Sequence, residues 1–159
     1  MKPLLVLLIS FSLSILISKL FFSKSNIFLS GKIAFAIMFI FTAIGHFIFT
    51  NGMSKMVPNF IPNKIFIVYA TGVIEIIFAI GLLIPKYQKH VAIAIVIFLL
   101  LMTPANIKAA SNSLNYQTGE QNGNGINYLW FRVPLQIFFI LWVLFFFHKK
   151  IPSLTTWDF

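Results

Sequence analysis

The chain has 159 residues, of which 59% are hydrophobic and only 9% charged, and its mean hydropathy is +0.94. A soluble domain carries about a quarter charged residues, so the composition excludes a water-bathed globule and points to one domain solvated by lipid. The net charge of +9 raises nucleic acid as a partner, but the 11 lysines are scattered at the ends of apolar segments, where snorkelling and the positive-inside rule place them, and that partner is excluded.

Cysteine is absent. The chain's own residues therefore supply no thiolate for disulfide exchange or for iron–sulfur or blue-copper ligation. No residues have metal-ligand spacing, so no metal is expected, and no motif is catalytically self-sufficient. A redox role would fall to a bound cofactor or a partner.

Five apolar segments follow one another at residues 3–22, 32–50, 64–84, 90–109 and 128–147. Each is near the ~20 residues that cross ~30 Å of hydrocarbon. They predict an all-α polytopic membrane protein in a single domain over residues 1–159. The first segment, PLLVLLISFSLSILISKLFF, has a long apolar run, only Lys2 ahead of it and no small-x-small cleavage site. It reads as a retained helix rather than a signal peptide.

The second segment places Ala36, Ala43 and His46 on one face near its end. The connection at 51–63 spaces Met53, Met56, Val57, Phe60 and Ile61 with an amphipathic period that Pro58 interrupts and Pro62 ends. It predicts an interfacial turn of helix followed by extended chain. The third segment sets Gly72, Glu75 and Ala79 at i, i+3 and i+7, so the carboxylate shares the face on which helices approach. Glu75 lies about 16 Å along that helix, near mid-membrane. An ionisable group there costs ~2.5–3.5 kcal/mol on insertion scales and should face protein or water.

The fourth segment ends in LMTPANIKAA. Pro104 lacks an N–H and clashes one turn back, near Leu100, which opens or kinks the backbone. Asn106 then either lines a polar pocket or caps a helix at its wet boundary. Residues 111–127 are polar with two Asn-Gly turn signals and read as a solvated loop. The fifth segment carries Arg132 and Gln136 at i, i+4 in WFRVPLQ, then FFILWVLFFF, which reads as lipid-facing. Seven lysines against four put the C-terminal tail, 148–159, in the cytoplasm and the N-terminus outside. His90 and His148 then sit at the cytoplasmic rim beside headgroups.

The polar residues converge on the outer half. Arg132 is the only arginine and Glu75 the only intramembrane acid, so direct or water-bridged contact between them is expected, with His46, Asn106 and Gln136 lining the same outward-facing cavity. The competing reading is structural glue that fixes helix register.

The pieces AIGHFIFTNGMSKMVPNFIPNKIFIVYATGVIEIIFAIGLLIPKYQKH, LMTPANIKAA and WFRVPLQIFFILW, spanning about residues 35–145, resemble the DoxX-like family of small bacterial membrane proteins. The resemblance implies a four-helix membrane bundle made of helices two to five, with the first helix additional to it, in the bacterial cytoplasmic membrane. The family is named for membrane subunits associated with thiosulfate:quinone oxidoreductase and terminal oxidases. Quinone is thus an implied cofactor, and a soluble or membrane oxidoreductase an implied partner. His46, Glu75, Asn106, Arg132 and Gln136 fall on its motif positions, for which it supplies no agreed catalytic role.

Three functions stand open. One is the membrane subunit or anchor of a redox, quinone-linked system. Another is a scaffold or assembly factor whose polar cluster is structural. The third is a small-solute or anion carrier, with Arg132 as the anion site and Glu75 as the proton-coupling group; one five-helix chain would then need to form a homo-oligomer.

Overall fold

A computed structural model describes residues 2–22 and 26–148. Its described residues form α1 (Lys2–Phe22), α2 (Ile27–Ile48), α3 (Thr50–Met56), α4 (Lys64–Leu83), α5 (Gln88–Leu101), α6 (Thr103–Ser111) and α7 (Ile126–His148), with no strand among them. Five stretches are long and apolar enough to cross a membrane: Lys2–Phe21, Ile27–Ile48, Lys64–Leu83, Gln88–Ser111 and Ile126–Phe147. The chain is an all-α polytopic membrane protein. The expected tail at 149–159 lies outside the described residues.

α2 is the hub. Half of its apolar window is buried, against 6% for α1, and it packs on α1, α4 and α7. The reason lies in its small residues: Ser30, Gly31, Ala34, Ala36 and Ala43 are buried and let neighbours close in on Phe35, Met38 and Phe39. Aromatic edges fill the spaces, with Phe35 against Phe139 at 6.0 Å and Phe78 against Phe98 at 5.5 Å. α1 is peripheral but not detached. Leu7 is fully buried, and Phe11 packs edge-on against Trp142 at 5.0 Å.

Three sequence expectations change, while the turn of helix read into the 51–63 connection is found as α3. α2 starts at Ile27, five residues before Lys32, because the Asn26 side chain caps it by accepting from the Leu29 N–H at 3.1 Å. Lys32 is therefore not a rim marker: it is fully buried and donates to Gln88 Oε1 at 2.8 Å, with its ammonium 5.3 Å from the Phe147 ring. FFILWVLFFF is not simply lipid-facing, since Phe139, Val143, Phe146 and Phe147 turn into the core while Leu141, Leu144 and Phe145 face out. In the 51–63 connection α3 stops at Met56, so Val57 is buried but Phe60 is 84% exposed. Pro58 ends the helix before Phe60 can join the apolar face.

The polar loop is packed rather than merely solvated. Lys55 Nζ donates to the Gly119 carbonyl at 2.8 Å, and Phe49 meets Tyr116 edge-on at 6.1 Å. Gly52 lies so close to the Tyr116 carbonyl that a Cβ there would overlap it. The loop thus covers α3, at the end of the bundle where α2 finishes and α4 begins.

Candidate functional site

Near this α3 end, α2 and α4 approach closely because Gly72 has no side chain. A Cβ at position 72 would meet His46 Cβ at 3.0 Å. The approach brings His46 between two residues of α4. Its Nδ1 lies 3.1 Å from Thr71 Oγ1, and its Nε2 lies 3.5 Å from Glu75 Oε1. Thr71 directs its one hydroxyl hydrogen to the Val68 carbonyl at 2.8 Å, leaving a lone pair to accept from His46 Nδ1–H. Nε2 then faces a carboxylate oxygen, and that contact is attractive when a proton lies between them.

Glu75 is 7% exposed, and its second oxygen, Oε2, is buried with no hydrogen-bond partner among the described residues. An unpaired buried carboxylate oxygen is costly, so its surroundings matter. Glu75 lines a small, partly open cleft of about 60 Å³ together with Asn106, Arg132, Gln136, Thr42 and, from α1, Pro3. Phe39, Leu135 and Phe139 complete its apolar walls. Two to four of its polar groups could hold a bound water or a single carbonyl or carboxyl edge.

The Pro104 region supplies the far wall. α5 ends at Leu101 and α6 begins at Thr103, with Pro104 in the first turn of α6, where a missing N–H costs little. Met102 sits in the break, and its N–H reaches back to Phe98 and Leu99 carbonyls at 3.0 and 3.2 Å. The Leu99 carbonyl also accepts from Gln136 Nε2, which in addition donates to Thr103 Oγ1 at 2.9 Å. Proline thus breaks the helix, and an amide from α7 closes the break. Asn106 is buried, and its Oδ1 accepts from the Tyr128 hydroxyl at 3.4 Å, leaving its amide hydrogens for the cleft.

Arg132 makes no hydrogen bond or ion pair among the described residues. Glu75 and Arg132 form no direct ion pair among the described residues; Glu75 Oε1 instead meets His46 across the close α2–α4 contact, and Glu75 and Arg132 line the same cleft. Four of the five anticipated residues, Glu75, Asn106, Arg132 and Gln136, line the one cleft, and His46 stands behind Glu75. Thr71, Thr103 and Tyr128 were missed. Thr71 lies one turn before Glu75 and Tyr128 one turn before Arg132, so helical spacing from each charged residue was the available signal. Among the described residues no group of three or more His, Asp or Glu could hold a metal ion.

Fold and cleft define a class: a multi-pass helical membrane protein with a polar, partly charged cleft set into one end of its bundle. Within that class, the chain belongs to the family described as Domain of unknown function (DUF8561), whose family model matches residues 35–147. No curated protein and no solved structure matches it.

Proposed function

We propose that the protein is the membrane subunit of a redox system and that its cleft receives the carbonyl edge of a quinone-type ligand. One observation carries the reading: Glu75 Oε2, buried, and Arg132 have no hydrogen-bond partner among the described residues, and both residues line the same small cleft. A protein that needed these charges only for cohesion would pair them with each other. A quinone carbonyl wants donors, and Arg132 and the Asn106 amide supply them. Glu75, with His46 and Thr71 behind it, is placed to hold or pass one proton at Oε2. The quinone, when bound, supplies the electron chemistry, and a partner oxidoreductase supplies or removes the electrons. The DoxX-like resemblance of TPANI and RVPLQ supports the same assignment.

With buried Lys32 left out, six lysines against four still support an N-terminus-outside orientation, which sets the α3 end, and with it the cleft, toward the outside of the cytoplasmic membrane.

A scaffold role has its own supporting observation, since the His46–Thr71–Glu75 and Gln136–Leu99 contacts each join two different helices. The experiment that separates the two is photolabelling of the purified full chain with an azidoquinone. Label is expected on peptides of α4 and α7 that flank the cleft, and excess unlabelled quinone should suppress it. Label spread over the lipid-facing surfaces, insensitive to competition, would leave the scaffold reading in its place.

A further inference from the structure

A second polar node lies at the α3 end, outside the cleft. The connection after α3 runs Val57 to Asn63, and Asn63 is held in the left-handed region at φ 50° immediately before α4. That turn brings Lys64, the first residue of α4, toward Asn59. Lys64 Nζ donates to Asn59 Oδ1 at 2.9 Å, and Lys108 Nζ, from α6, donates to the same oxygen at 2.9 Å. Lys108 also donates to the Val57 carbonyl. Two ammonium groups thus share one neutral amide oxygen.

No carboxylate answers them: neither lysine forms an ion pair among the described residues. Two like charges drawn to one acceptor repel each other unless an anion joins them. Both lysines stand at ends of membrane-crossing stretches, Lys64–Leu83 and Gln88–Ser111, which is headgroup depth. A shallow apolar groove lined by Lys64, Ile65, Phe66 and Tyr69 begins at the node, and Phe66 and Ile65 are exposed.

We propose that Lys64, Lys108 and the Asn59 side chain form a binding site for the phosphodiester of an anionic phospholipid, with an acyl chain lying along Phe66 and Tyr69. Charge complementarity selects an anionic headgroup, and the groove selects a lipid over a free anion. The phosphate oxygens accept from the two ammonium groups, and the Asn59 amide hydrogens add a neutral donor. This site is independent of the ligand assigned to the cleft.

The test is native mass spectrometry of the full chain released from phosphatidylcholine nanodiscs containing phosphatidylglycerol. Wild type is expected to retain phosphatidylglycerol in preference to phosphatidylcholine. Lys64→Gln with Lys108→Gln should weaken retention by on the order of tenfold or more, since each basic group near an anionic surface contributes about a factor of five. Lys64→Arg with Lys108→Arg keeps both charges and should retain the lipid, which guards against a folding artefact in the glutamine pair. Lys86→Gln with Lys89→Gln, just before and at the start of α5, should leave retention unchanged. Equal retention by wild type and the glutamine pair would overturn the proposal. So would displacement of the lipid by inorganic phosphate in the low millimolar range (about 1 mM corresponds to a weak free-anion site), because the groove would then contribute nothing.

Discussion

At the residue scale, His46 is held by α4 through both ring nitrogens, and this bears on how Glu75 is read. His46→Leu leaves the Glu75 carboxylate with no partner, and Glu75→Leu leaves Nε2 facing an apolar group. Each single change is therefore expected to destabilise more than its share of the double change, with a coupling of about 0.5–3 kcal/mol. Thermal unfolding of the four proteins in one detergent measures it, and simple additivity would mean that the 3.5 Å contact contributes nothing. Charge alone made Arg132 the natural partner of Glu75 in the sequence. What sequence could not convey is that Gly72 admits His46 to within contact of α4, so that the histidine reaches the acid first. The burial of Lys32 was illegible for a related reason: a lysine near the start of an apolar run reads as a rim residue, and its acceptor, Gln88, is 56 positions away.

At the element scale, breaks and closures come in pairs. Pro104 was legible as a breaker of the fourth segment, and the break at Met102 lies within two residues of it. Its closure by Gln136 was not legible, because the amide and the Leu99 carbonyl are 37 positions apart and meet only when α7 packs on α5. Gln136→Leu removes that donor, and a loss of about 1–3 kcal/mol is expected, seen as a lower melting temperature and faster amide exchange around Leu99–Thr103. Unchanged exchange there would show that the Met102 N–H alone satisfies the carbonyl. The α3–loop contact gives a parallel case. Gly52→Ala places a methyl group against the Tyr116 carbonyl, so the loop must lift from α3. Proteolysis within residues 116–122 should accelerate, by an amount consistent with the ~1–3 kcal/mol typical of overpacking. A loop as resistant as wild type would contradict the tight approach.

At the scale of the whole molecule, apolar segment lengths sufficed for the five crossings, because hydrocarbon thickness imposes them one at a time. Which faces turn inward depends on pairs of helices, and there the sequence was read only where small residues marked the face, as at Gly72, Glu75 and Ala79. Orientation is tested with Ser113→Cys, in the loop after α6, and Lys86→Cys, between α4 and α5. In intact cells an impermeant thiol reagent should label Cys-substituted position 113 and not 86, and the reverse would defeat the lysine count. The central claim is that the charges of the cleft serve a ligand rather than cohesion, and Arg132→Met tests it most directly. Arg132 has no hydrogen-bond or ion-pair partner among the described residues, so its removal should leave stability within about 0.5 kcal/mol of wild type, while competable azidoquinone labelling at the cleft falls to background. A variant that unfolds readily, or that keeps wild-type labelling, would contradict the claim.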